Sequence, residues 1–347
     1  MKKLRVGVIG LGVGYLHIKG YMSHPMAEVV AVSDTNPKRL EERGKKELKI
    51  PSLYLSAEEM LAKEKLDIVS IATPNIFHKP LTIAALKAGC HVLCEKPLAT
   101  NAKDAKEMVM AAKSMKKRLA INFTYRFCSQ AMAMKREIEK GTMGNIYFAR
   151  TVWHRRRGLP GFGGWFGQKN LSGGGPLIDL GVHRLDLALW FMNYPAPVWV
   201  MGSTYNYLGS DMAKKQNKKF DVEDFATGMI KFEDGAVIEI ESSWASNIKE
   251  EEHMKTRLLG TKGGALHFNI NETYEFGSEI YIEKDGFQYD MKLHPPFPEV
   301  KSSMYYLVDS IVNNTPHIAT GEEGLIVMEI IDAIYKSATK GRPLKIK

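Results

Sequence analysis

Five short apolar runs set the fold class before any motif is read. Residues 4–9 (LRVGVI), 28–33 (EVVAVS), 67–72 (DIVSIA), 90–94 (CHVLC) and 118–122 (RLAIN) are rich in Val, Ile and Leu and lack polar alternation. That is the pattern of strands buried on both faces. Helical periodicity fills the gaps, and such strand–helix alternation predicts a doubly wound parallel sheet with helices on both sides. From about residue 125 the texture changes. TGMIKFEDGAVIEIES and IYIEKDGFQYDM alternate around Asp-Gly turns and read as hairpins, and GTKGGALHF adds a Gly-rich connection. Helical patterns cover roughly 128–140, 176–193, 298–313 and 321–339. The expectation is an α/β domain over 1–124 and an α+β domain with a large, open, mostly antiparallel sheet over 125–347, its last helix free to pack back on the first. One face of the open sheet needs cover, and a partner subunit's sheet supplies it most simply, so a homodimer or homotetramer is expected.

Composition narrows the class. A chain of 347 residues with 44% hydrophobic and 25% charged residues is that of an ordinary globular protein. Three scattered cysteines argue against a disulfide framework and for a reducing cytoplasm. Cys90 and Cys94 bracket a histidine, but no second ligand pair follows at a zinc-like spacing, so no metal is expected. The net charge of +9 is spread over short lysine clusters without interleaved aromatics, which argues against nucleic acid. Two lysines before an apolar run imitate a signal peptide, yet four glycines within residues 7–14 make a poor helical core for one. The reading is a cytoplasmic chain that begins at a strand. No run of eighteen apolar residues suggests a membrane span.

The first strand ends in VGVIGLGVGYLH. Gly10 and Gly12 match the first two glycines of the G-x-G-x-x-G turn, in which backbone approaches a pyrophosphate at a helix N-terminus. Tyr15 stands at the third position, with Gly14 one residue early. The context fits: a strand before, a helix after, and Asp34 at the end of the second strand to hold ribose hydroxyls. Gly10, Leu11, Gly12, Val13, Gly14 and Asp34 are therefore expected to bind a dinucleotide. A carboxylate repels a 2′-phosphate and favours NAD, while Lys38 and Arg39 nearby leave NADP open. Two later loops leave the same sheet edge, where ligands of open α/β sheets bind. One carries Thr73, Asn75 and His78; the other carries Glu95, Lys96 and Pro97. All but the proline are expected at the cofactor, and Lys96 is placed to orient a substrate oxygen. A plain surface Glu–Lys pair is the competing reading.

In GGGPLIDLGVHRLDLALWF (173–191) the apolar positions call for a helix buried on most sides, and Pro176 suits its first position. Asp179, His183 and Asp186, spaced four and three apart, share one face. Spacing alone favours a satisfied buried hydrogen bond for Asp179 and His183, and a structural pair for Arg184 and Asp186. Residues 153–168 (WHRRRGLPGFGGWFGQ) lack periodicity. Their aromatics and arginines make Trp153, Arg156 and Trp165 substrate candidates, because rings stack on sugar C–H faces and guanidinium forks grip oxygens. A surface loop or interface arm fits equally.

The glycine turn, Asp34, CEKP and GGGPLIDLGVHRLD occur in this order, followed by VEDFATGMIKFEDGAVIEIESSW and IDAIYKSATKGRPLKI. With NFTYRF at 122–127, the set resembles the glucose–fructose oxidoreductase, inositol dehydrogenase and rhizopine-catabolism family (Gfo/Idh/MocA) along nearly the whole chain. The resemblance implies a nicotinamide cofactor and a C-terminal domain that supplies substrate contacts and the subunit interface. It implies a catalytic set of Lys96, Asp179 and His183, and a cis Lys96–Pro97 peptide. Asp179 and His183 thereby become substrate-contacting residues as well, with Arg126 of TYRF a further candidate. The expected activity is hydride transfer at a secondary alcohol or ketone of a cyclic polyol, sugar or sugar derivative. His183 is the general acid/base, with Lys96 and Asp179 assisting. Two alternatives share these motifs: a glycosidase working through transient oxidation, and a cofactor-binding regulator.

Overall fold

The computed structural model describes residues 2–346. The chain divides into two compact units. One comprises the residues up to Phe123 together with Lys301–Leu325; the other comprises Thr124–Val300 and the residues from Ile326 on.

The first unit is built on six parallel strands: β1 (Leu4–Ile9), β2 (Ala27–Ser33), β3 (Ser52–Tyr54), β4 (Ile68–Ile71), β5 (His91–Cys94) and β6 (Leu119–Ile121). Their order is β3-β2-β1-β4-β5-β6, the doubly wound arrangement expected. The order reverses between β1 and β4, so the strand ends there frame a crevice. β3 has no counterpart among the five expected strands, because it is three residues long and only half-buried. Residues 301–325 belong to this unit and not, as the expected boundary had it, to the second. Ser302 caps the helix Ser303–Val312 by accepting the Tyr305 N–H, and Met304, Leu307 and Val308 enter the core with Val6, Ile18 and Tyr21. Apolar periodicity shows that this helix is buried without saying against what.

The second unit carries a nine-stranded sheet of β7 (Ile146–Arg155), β8 (Pro197–Tyr205), β9 (Phe225–Phe232), β10 (Val237–Ser243), β11 (Glu252–Gly260), β12 (Gly263–Asn269), β13 (Phe276–Lys284), β14 (Phe287–Lys292) and β15 (Leu344–Lys345). The order is β14-β13-β12-β11-β7-β10-β9-β8-β15, antiparallel throughout except between β7 and β10. Both Asp-Gly hairpins form. At the second, Asp285 and Gly286 both take positive φ, as a tight two-residue hairpin turn requires. One face of the sheet is packed, and the helix Val182–Phe191, every residue of which is buried, covers part of it. The other face presents alternating charges, among them Arg150, Glu241, Lys255 and Arg257. Among the described residues no helix is long and apolar enough to cross a membrane.

Two expected charge roles are reassigned. Asp186 pairs with Arg126, not with Arg184: the Arg126 Nη2 and Nε donate to the carboxylate at 2.6 and 3.0 Å, and the Tyr194 hydroxyl adds a donor at 2.5 Å. Arg126 and Asp186 are both fully buried, so Arg126 is a structural ion and not a substrate contact. Removing one partner of a buried pair leaves an uncompensated charge at a cost of ~3–5 kcal/mol. Asp186→Ala is therefore expected to lower unfolding free energy by about that amount in urea denaturation. A change under about 1 kcal/mol would show that the pair is solvated.

Candidate active-site residues

In the first unit the glycine turn joins β1 to the helix Gly14–Met22. Gly10 has φ +91°, and a Cβ there would stand 2.4 Å from the Ala72 carbonyl oxygen, so only glycine fits. Gly14 meets the demand expected of the third glycine: its Cβ would lie 3.0 Å from Val8 and 3.1 Å from Ala72. Tyr15 instead turns its hydroxyl to Glu47 and its ring to Lys19, so the close helix–strand packing is left to Gly14. Gly12 has nothing within 4 Å of where a Cβ would be, so the protein itself does not require glycine there. Leu11 is buried and Val13 largely exposed. The helix has neither a side-chain cap nor an acidic residue in its first turn, leaving its first N–H groups without a side-chain acceptor. Open space beside such N–H groups fits a dinucleotide pyrophosphate.

Asp34 is buried and closes the turn from the side. Its Oδ2 accepts the Leu11 N–H at 2.7 Å and its Oδ1 accepts the Asn36 N–H at 2.8 Å. Each oxygen keeps lone-pair capacity for a ribose hydroxyl. Arg43, which sequence reading missed, donates to the Leu11 and Gly12 carbonyls at 2.7 and 3.0 Å. Thr73 has a buried hydroxyl without a hydrogen-bond partner, a group suited to a ligand. Asn75 is buried at the start of the following turn.

His78 and Glu95 are corrected from cofactor contacts to supports. The fully buried His78 ring sits between the Pro97 and Thr73 carbonyls, at 2.7 and 2.9 Å, and ties the two loops together. Burial lowers its pKa despite those carbonyls. Glu95 turns inward: its Oε1 lies 2.7 Å from His17 Nε2 and accepts from Asn122 at 2.6 Å, while its Oε2 takes the Lys96 backbone N–H at 3.1 Å. Burial alone would raise its pKa, but His17, Asn122 and Lys96 outweigh it and hold the carboxyl below the usual range. His17 Nδ1 continues to Ser70 at 2.7 Å. Lys96 is thus a half-buried lysine on a backbone anchored by a buried carboxylate, and its peptide to Pro97 is cis.

In the second unit, the stretch expected as one helix begins with a π-turn, Leu177–Gly181, and continues as Val182–Phe191. Its start is held by Glu223, a residue not singled out from sequence. The buried carboxylate accepts the Gly175 N–H at 2.9 Å, the Leu177 N–H at 3.2 Å and the Tyr335 hydroxyl at 2.7 Å. Burial pushes its pKa up even so. Asp179 is half-buried and its Oδ2 accepts the Trp244 indole N–H at 3.0 Å. His183 is 8% exposed and lies against the rings of Tyr125 and Trp153, with centroids at 5.0 and 5.8 Å.

The expected loop starts later than its sequence suggests, since Trp153–Arg155 belong to β7. Trp153 donates to Glu252 Oε1 at 2.5 Å, and Arg155 Nε donates to the same atom at 3.0 Å. Arg156 is exposed and bound to Glu251 at 3.1 Å, a surface pair and not a gripping fork. Trp165 stacks on Phe166 at 3.8 Å. Cys90 and Cys94 donate their thiols to backbone carbonyls, and burial pushes Cys90 up to about 11. Among the described residues no group of three or more His, Cys, Asp or Glu is arranged to hold a metal.

Comparison with known proteins follows the same division. The family model described as "Oxidoreductase family, NAD-binding Rossmann fold" matches residues 4–123, and the "GFO/IDH/MocA C-terminal domain" matches residues 131–266. D-glucoside 3-dehydrogenase of Escherichia coli (strain K12) is 32% identical over 352 residues, covering 99% of this chain and 97% of its own. Myo-inositol 2-dehydrogenase of Thermotoga maritima is 26% identical, covering 99% of each chain. The structure of levoglucosan dehydrogenase in complex with NADH matches over 100% of both chains with a TM-score of 0.87 at 22% identity, a likeness of fold.

Gly12→Ala is expected to fold with an unchanged melting temperature yet to weaken NADH binding roughly tenfold or more in a fluorescence titration. Binding at native strength would place the pyrophosphate elsewhere. A second expectation concerns pH. His267 is fully buried, and burial with the nearby Arg184 cation holds its pKa well below the ordinary 6.5. A depressed histidine pKa gives stability that is complete above the unfolded value and is lost as pH falls toward the folded one. His267→Gln cannot titrate, so the stability gap between native protein and variant should narrow from pH 7.5 to pH 5 in urea melts. A constant gap contradicts a neutral buried His267.

Proposed function

The chain belongs to the Gfo/Idh/MocA family of NAD-binding oxidoreductases, and on that premise we propose that it oxidises a secondary alcohol of a cyclic polyol, sugar or sugar derivative, or reduces the matching ketone. The observation that carries this reading is the placement of Asp179 and His183 four residues apart at one helix start, where Glu223 holds the backbone and Trp244 donates to Asp179. NAD, when bound, supplies the hydride acceptor. The residues at hand for it are the Gly10–Gly14 turn, Asp34 and Thr73. Asp34 favours the unphosphorylated cofactor, although Arg39, 3.6 Å from it, is a cation near the place a 2′-phosphate would take.

His183 takes the hydroxyl proton in oxidation and returns it in reduction, a role suited to a side chain whose ordinary titration lies near neutrality. Asp179, one turn earlier, orients the imidazole or the substrate. Lys96 holds the reacting oxygen and stabilises alkoxide charge as it develops. Trp153, expected to stack on sugar C–H groups, is buried against Tyr125, His183 and Arg184 and borders the imidazole from within the protein. The cytoplasm is its compartment, in keeping with three free cysteines. The charged open face of the nine-stranded sheet is assigned to a second copy of the chain, which would make a homodimer or homotetramer.

Nicotinamide absorbance with NAD or NADP, read against inositols, aldoses, alkyl glucosides and uronic acids, tests the reading. Reduction of NAD with one group of alcohols supports it. Cleavage of aryl glycosides without net NADH would replace it with the transient-oxidation alternative. His183→Ala is expected to lose kcat by about 100-fold or more while still binding NADH. Native turnover in that variant would overturn the assignment of the base.

A further inference from the structure

Trp244 follows β10 directly and is fully buried. Its backbone is clamped on both sides: the N–H donates to the Asp224 carbonyl at 3.0 Å, and the carbonyl accepts the Gly158 N–H at 2.7 Å. The ring packs in a cluster with Leu180 and Val222, its centroid 6.4 Å from that of Phe220 and 6.5 Å from that of Phe166. Neither the main chain nor the indole has room to swing. An indole N–H is a donor only, so its role cannot reverse with pH or tautomer. From this fixed mount it points at Asp179 Oδ2, 3.0 Å away.

We infer that Trp244 is a positioning residue for Asp179, an inference that rests on the role given to Asp179 above. A buried tryptophan needs some acceptor for its N–H, and a backbone carbonyl would serve. Here the acceptor is instead the one carboxylate assigned to the chemistry, half-buried on a π-turn. A donor on one carboxylate oxygen fixes the torsion of the carboxylate and gives the second oxygen one direction. Asp179 thus meets the imidazole or the substrate without having to find its rotamer in each cycle.

The first test needs no substrate. Protein labelled with ¹⁵N on its five tryptophans has one indole signal per ring, and that of Trp244 is identified by its loss in Trp244→Phe. This signal is expected to shift in Asp179→Asn. A Trp244 signal indifferent to Asp179→Asn overturns the inference. With the alcohol that native enzyme oxidises, Trp244→Phe is expected to lower kcat about tenfold with KM for NAD unchanged. Replacing Trp244 by 3-benzothienylalanine, which keeps the shape and lacks the N–H, should reproduce that loss even where the phenylalanine variant folds poorly. In the Asp179→Asn background the loss should shrink to less than about twofold, because the two groups act as one. A fully active benzothienyl variant, or losses that simply multiply, refutes the positioning role. Full activity in Asp179→Asn sinks the role of Asp179 itself, whereas an impaired Asp179→Asn beside an active benzothienyl variant sinks only that of Trp244.

Discussion

Glu223 puts a buried carboxylate against the backbone that begins the helix of Asp179 and His183, and the local sequence is arranged around that contact. A helix start carries N–H groups with no partner inside the helix, and a buried start must find acceptors elsewhere. Glu223 takes the Gly175 and Leu177 N–H groups and in turn receives the Tyr335 hydroxyl. The close approach explains the glycine run. A Cβ on Gly175 would lie 2.0 Å from the Glu223 carbonyl oxygen, and one on Gly174 would lie 2.1 Å from the Tyr335 hydroxyl. The glycines, Glu223 and Tyr335 are thus three parts of one device in three distant stretches of chain. The first unit solves a similar problem with Asp34 and Arg43, which satisfy the N–H and carbonyl groups of the glycine turn from its two sides.

A second buried carboxylate supports Lys96. An ionised glutamate with no partner would cost several kcal/mol in such a place. The His17 ring, the Asn122 amide and the Lys96 backbone N–H all converge on Glu95. The helix that follows the glycine turn carries His17, so the turn and the lysine loop share one polar network inside the same unit. His78 adds a second tie between the β4 and β5 loops. Two residues that read as ligand contacts from their place at the sheet edge are therefore the framework on which the ligand-facing groups hang. Their position along the chain is the same in either case; only the direction of the side chain separates the two.

What was legible in the sequence follows from what local patterns encode. Parallel strands announce themselves because burial on both faces leaves no polar positions, and β3 escaped because three half-buried residues make no run. Asp-Gly turns announced the two hairpins, since the positive φ that Gly235 and Gly286 adopt is a local demand. The partners of buried charges were not legible. Every position of Val182–Phe191 is buried, so periodicity has no exposed face from which to infer direction. Asp186 could not be given to Arg126, sixty residues away, in preference to Arg184 two residues away. Trp244 and Glu223 lay inside a stretch quoted only for its likeness to relatives, and no spacing rule connects them to residues 173–183. Strand parity was the one signal left unused: continuing β7 to Arg155 sets Trp153 and Arg155 on the same side of the strand, where both reach Glu252.

Arg184 shows how a costly group contributes rigidity. Its side chain is fully buried, and burial pushes its pKa down only to about 10, so it stays charged at neutral pH. No carboxylate answers it within hydrogen-bond reach; its Nε and Nη2 lack partners among the described residues, and its Nη1 lies 3.4 Å from His267. The compensation comes from ring faces, with the guanidinium 5.0 Å from the Tyr125 centroid, 5.4 Å from Phe276 and 5.8 Å from Trp153. Desolvated cation–ring contacts are worth about 2 kcal/mol or more, less than the cost of burying the ion, so none of the three rings can turn away cheaply. Two of them, Tyr125 and Trp153, also border the imidazole of His183. The orientation of the groups around His183 is thus held by the electrostatic demand of its own chain neighbour as well as by packing.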